Sequence, residues 1–90
     1  MRMHQIEAAD EILHVDVREK ELIAVGIGMA VRCENCIYAH VRSAIRAGAT
    51  REQILEAAGV AVAITGGASY TYLPRIHEAL EALAARGELT

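Results

Sequence analysis

Both cysteines of the sequence and one of its four histidines fall within one eight-residue stretch, Cys33-Glu34-Asn35-Cys36-Ile37-Tyr38-Ala39-His40. A helical residue advances about 100° and 1.5 Å, so Cys36 would sit roughly 60° from Cys33 and about 4.5 Å along the axis. His40 would follow one turn later, turned back about 40° towards the Cys33 side. Two thiols and an imidazole therefore share one helix face.

Two chemistries suit that set. Residues i and i+3 of a helix have Cα atoms about 5 Å apart, within disulfide range, so the pair can open and close with little backbone movement. A thiol reacts as its thiolate, which is scarce at neutral pH for an ordinary cysteine. A helix N-terminus at Cys33 favours the anion, and His40 is a candidate base for Cys36. A base works best when a third group orients it, and Glu19 and Glu21 are the candidates. Of these, Glu21 lies nearer the apolar part of its helix, where a carboxylate needs a partner. Alternatively, Cys33, Cys36 and His40 offer three tetrahedral zinc ligands, with Glu21 or another histidine as the fourth. The sequence has no second cysteine pair and no closely spaced histidine pair, which favours redox chemistry over a structural metal. The plainest alternative is two small buried residues beside a surface histidine. It is weakened because scarce residue types coincide on one face.

The elements that must position these groups are helical. Met3, Ile6, Ala9 and Leu13 recur at three- and four-residue spacing and predict a helix over residues 2–14. Asp16 followed by Glu19 reads as a capping box opening a second helix over about 17–31, apolar nearly all round and hence read as buried. Gly26 and Gly28 weaken that helix and suggest close approach by a neighbouring backbone. Cys33 stands at or just before a third helix, which Gly48 stops. Thr50 with Gln53 caps a fourth, which Gly66-Gly67 ends. A last helical segment over about 68–86 is interrupted at Pro74, where a kink or fresh start is expected. With no strand pattern and no internal repeat, the expected fold is all-α: one small domain over 1–90 of about five helices.

Bulk properties limit the partners. The 90 residues are 53% hydrophobic, yet they include no Trp or Phe and only three Tyr. That is more apolar surface than one small core hides, and a homo-oligomer is expected. A formal net charge of −3, with nine basic residues interleaved among twelve acidic ones, argues against nucleic acid. Residues 57–74 are uncharged but broken by Gly66-Gly67, a poor membrane span. Without a basic-then-apolar leader, a cytoplasmic location is expected, where a lone Cys pair reads as redox-active or metal-binding.

Glu21, eleven intervening residues, and Cys33-x-x-Cys36-x-x-x-His40 together resemble the signature of the alkylhydroperoxidase D-like branch of the carboxymuconolactone decarboxylase family. Arg46-Ala47-Gly48-Ala49-Thr50, the helix carrying Glu52, Ile54 and Glu56, and Gly66-Gly67 extend the resemblance to about residues 12–83. It implies an all-helical thiol-dependent peroxidase or disulfide oxidoreductase, with intertwined subunits in a trimer or hexamer. Cys36 would attack a hydroperoxide, His40 and Glu21 would form the proton relay, and Cys33 would resolve the sulfenic acid to a disulfide. A dithiol reductant, in the namesake peroxidase a lipoyl group on a partner protein, would then reopen it. No cofactor or bound metal is implied. One departure is Asn35, which stands where the namesake has a functional histidine and cannot shuttle protons. The decarboxylase branch lacks the cysteine pair, which argues against a lactone substrate.

The remaining candidates read as structural. Glu19 lies about 200° round the helix from Glu21, so only one of them can face inward. Tyr38 points off the reactive face towards packing, and Tyr70 and Tyr72 read as contacts. His4, His14 and His77 lack a ligand-spaced companion. Arg42 and Arg46 read as a solvated face.

Overall fold

The computed structural model describes residues 15–89; the expected helix over 2–14, with His4 and His14, lies outside them. The described residues form five helices and no strand: α1 (Val17–Ala30), α2 (Glu34–Arg46), α3 (Arg51–Thr65), α4 (Gly67–Tyr70) and α5 (Leu73–Ala85). The all-α expectation is met.

Local chemistry sets the boundaries. The Asp16 side chain accepts the N–H of Glu19, one arm of the expected capping box. The complete reciprocal box stands at α3, where Thr50 Oγ1 accepts from Gln53 N and Gln53 Oε1 accepts from Thr50 N. Gly48, at φ +101°, reverses the chain after α2 while Ala49 N–H reaches back to Ala44 O. Gly66, at φ +65°, ends α3 and opens α4, and α5 starts afresh with Pro74 at its second position. There the missing N–H costs nothing.

α1 packs mainly on α2 and α3, and α5 covers α2 from another side. The core draws Val25 and Met29 from α1, Ile37 and Val41 from α2, Ile54 and Ala58 from α3, and Ile76 and Leu80 from α5. Each pair is spaced four residues apart, the mark of one helix face turned inward. The buried Ser69 hydroxyl is satisfied by Thr65 Oγ1, which also bonds to Ala61 O.

Two expectations are corrected. α1 is not buried all round: Ile23 and Ile27 are 58% and 57% exposed, and with Val60 and Ile64 of α3 they flank an apolar groove of about 380 Å³. An all-round apolar pattern cannot distinguish burial in a core from an apolar face left outside it. Arg42 and Arg46 are not simply solvated either. Together with Arg86 they converge on Glu88, at 3.2, 3.4 and 3.1 Å. These guanidiniums, Arg42 foremost, hold the Glu88 carboxyl below its ordinary range. Tyr38 is half-buried against the core and accepts a bond from Arg86, the packing role expected of it; Tyr72 also packs on the core, whereas Tyr70 is exposed.

Candidate functional site

The site is built on the joint between α1 and α2. At the end of α1, Val31 N–H bonds to Ile27 O, Arg32 N–H to Met29 O, and Cys33 N–H to Gly28 O. This last six-residue closure needs a left-handed residue, and Arg32 supplies it at φ +55°. Glycine is usual there; a non-glycine residue costs about 1 kcal/mol. Cys33 is thus the last residue tied to α1 and, with extended backbone, the N-cap of α2. Its Sγ accepts the N–H of Cys36 at 3.2 Å, and its carbonyl accepts the N–H of Ile37 at 2.9 Å.

Cys33 and Cys36 are joined as a disulfide, their Cα atoms 5.2 Å apart. Both residues are half-buried. Gly28 of α1 faces the pair: a Cβ there would lie in ordinary contact, 3.4 Å from Cys36 Cβ and 3.5 Å from Ile37. Gly26 lies against the Ala57 carbonyl in the same way, at 3.5 Å from a Cβ built there; both glycines face neighbouring helices, but at distances that a methyl group also fits.

Two turns earlier on the same side of α1, Glu21 meets His40. Its carboxylate oxygens lie 2.9 and 3.2 Å from Nδ1. A carboxylate only accepts, so Nδ1 carries a proton, and in the neutral ring Nε2 keeps its lone pair. The Glu21 side chain is 19% exposed and that of His40 39%, so the orienting carboxylate is shielded while the ring meets solvent. Of the two glutamates weighed from the sequence, the inward one is Glu21; Glu19 is exposed.

All four expected residues therefore stand on facing sides of two adjacent helices, as two bonded pairs. Among the described residues no side-chain hydrogen bond joins the pairs. Cys36 and His40 are neighbours one turn apart on α2, where Cβ atoms lie about 5–6 Å from one another. One bridging water or a side-chain rotation would be enough to close that gap. Such an arrangement can take a proton from a thiol, return it to a leaving oxygen, and hold the oxidised product as a disulfide.

One neighbour was not foreseen. Glu34, the first residue of α2 and the one between the two cysteines nearest Cys33, is held by Arg75 Nε of α5 at 2.9 Å. Arg75 also bonds to Glu78 at 2.8 Å, and the bond to Glu34 does most to raise its guanidinium above the ordinary value. Nothing in local spacing links positions 34 and 75; only the tertiary fold brings them together.

The sequence matches the profile of the carboxymuconolactone decarboxylase family over residues 4–85. The chain belongs to that family. Two curated relatives are also similar to it. "Uncharacterized protein 4 in cox locus" of Paracoccus denitrificans is 47% identical over 58 residues, 64% of this chain and 52% of the relative. An uncharacterized protein of Cupriavidus necator is 35% identical over 66 residues, 73% of this chain and 58% of the relative. The chain thus spans little more than half the length of these curated relatives. No solved structure matches the sequence. The all-α architecture accords with family membership, and no helix among the described residues is long and apolar enough to cross a membrane.

Proposed function

We propose that this protein is a thiol-dependent peroxidase or disulfide oxidoreductase of the alkylhydroperoxidase D-like kind. The observation that carries the reading is a disulfide-forming pair at the mouth of α2 with an oriented imidazole one turn away. In the reduced protein His40 Nε2 takes the Cys36 proton. The Cys36 thiolate attacks the outer oxygen of a hydroperoxide, the O–O bond breaks, and the proton passes to the departing alkoxide. The products are an alcohol and Cys36 sulfenic acid. The Cys33 sulfur then attacks the Cys36 sulfur, the proton it gives up passes to the departing hydroxide, and water and the disulfide are formed. A dithiol reductant, such as a lipoyl group on a partner protein, reopens it by exchange and is itself oxidised. Glu21 holds the ring and balances the imidazolium. Asn35 supplies no second proton shuttle, which bears on turnover and on the choice of reductant.

A homo-oligomer is part of the same proposal. The groove between α1 and α3 is flanked by large apolar side chains more than half exposed, an area of the kind that subunit contacts cover.

The test is the intact mass of fully reduced protein after brief exposure to one equivalent of an organic hydroperoxide, with Cys33→Ser run alongside. The expected result is loss of two hydrogens in wild type and gain of one oxygen in Cys33→Ser. No mass change in either protein would remove peroxide as substrate. Zinc bound in stoichiometric amount to the reduced protein through dialysis would favour a metal site on Cys33, Cys36 and His40. Activity that survives Cys36→Ser would point to decarboxylase-type chemistry.

A further inference from the structure

Glu34 is placed where two demands oppose each other. At the first position of α2 a carboxylate stabilises the helix by facing the positive end of its dipole. The same negative charge, one residue from Cys33 and two from Cys36, opposes formation of a thiolate on either. Arg75 meets Glu34 from another helix, in a 2.9 Å contact that involves none of the four proposed redox residues. We infer that Arg75 is a positioning residue for the thiol chemistry: by binding Glu34 it masks the carboxylate and keeps the reduced cysteine pair acidic enough to react.

This rests on the reading that the pair works as thiolates, and it adds a residue from α5 to a site otherwise made by α1 and α2. The charged groups around the first turn of α2 come from every element nearby. Arg32 precedes Cys33 in the turn, Glu21 and His40 face one another across α1 and α2, and Glu78 shares Arg75 with Glu34. Glu21 and His40 are engaged with each other, and Arg32 is exposed. Glu34 is the carboxylate next to the sulfurs in sequence, and Arg75 is the cation bound to it. Both side chains are well exposed, 42% for Arg75 and 58% for Glu34, so the interaction is felt partly through water and is sensitive to salt.

The experiment measures thiol pKa on the fully reduced protein, from thiolate absorbance near 240 nm and from the pH dependence of iodoacetamide alkylation. Arg75→Gln should raise the pKa of the pair by about 0.5 unit, the size expected of an exposed charge acting through a solvent-dominated medium. Alkylation at neutral pH should fall about threefold. The double variant Arg75→Gln/Glu34→Gln should return close to wild type, because the charge that Arg75 masks has gone. Raising the salt concentration should shrink the Arg75→Gln effect. A melting curve on each variant separates the structural role: a lowered midpoint with an unmoved thiol pKa makes the ion pair a clamp between α2 and α5 and overturns the proposal. A double variant as high as Arg75→Gln also overturns it, since the effect would not then pass through Glu34. Both readouts are independent of peroxide, so failure of the peroxidase reading leaves this test standing.

Discussion

His40 presents Nδ1 to both carboxylate oxygens of Glu21, a residue nineteen positions earlier in the chain and on the facing helix. The bond fixes the ring through Nδ1, the nitrogen nearer the main chain, and leaves Nε2 as the nitrogen available to a thiol. If that orientation matters to chemistry, Glu21→Gln should slow peroxide-driven oxidation of Cys36 by about 10- to 100-fold, part of what a positioned base contributes. Far-ultraviolet circular dichroism of the variant should match wild type. A variant as fast as wild type would remove Glu21 from the relay.

Gly28 gives a graded packing test. A methyl group there meets Cys36 Cβ and Ile37 at ordinary contact distance, and alanine is the better helix former by about 1 kcal/mol. Gly28→Ala should therefore be neutral or slightly stabilising. Gly28→Val adds bulk to the same seam and should destabilise by about 1–3 kcal/mol. Urea unfolding of the reduced and oxidised proteins gives both values.

The carboxylate of Glu88, beneath three arginines, makes a pH-dependent contribution of predictable sign. Its carboxyl is held below the ordinary 4.5 that the unfolded chain has, chiefly by the bond from Arg42. A depressed carboxyl stabilises the fold fully above its unfolded value, and the contribution is lost as pH falls through the folded one. The difference in melting midpoint between wild type and Glu88→Gln should be constant near neutrality. It should narrow below about pH 4.5 and vanish once Glu88 is protonated in both states. Solvent screening keeps the difference small.

The apolar groove is tested with one charge. Ile27 is 57% exposed at its edge, so Ile27→Glu should leave the monomer fold intact while opposing any subunit contact there. Sedimentation velocity should show wild type as an oligomer and the variant at a smaller mass. An unchanged sedimentation coefficient would place the contact elsewhere.

What the sequence disclosed divides by range. The cap at Thr50, the stop at Gly48, the break before Pro74 and the start of α2 at Cys33 each depend on a few adjacent residues, and each is where the spacing puts it. The Cys33–Cys36 pairing is local in the same sense. The meeting of Glu21 with His40 is not. Helix phase alone left Glu19 and Glu21 open, and the resemblance selected between them. Arg75 with Glu34, and Glu88 with Arg42, Arg46 and Arg86, went unread because charged residues carry no period that names a distant partner. The exposed side of α1 went unread for a related reason: isoleucine looks the same in sequence whether its own chain or another covers it.

Cys33 holds α1 through its amide, caps α2 through its sulfur, and shares that sulfur with Cys36. A disulfide sulfur is a poor acceptor and a thiolate a good one, so reduction should strengthen the very bond that begins α2. The Cys36 backbone amide thereby becomes a built-in gauge of oxidation state, with a nitrogen-15 chemical shift that follows the redox cycle without any added label at the sulfurs. It also sets the proper control for any mutational work. Serine at position 33 keeps an acceptor for that amide, whereas alanine removes the chemistry and the helix start together.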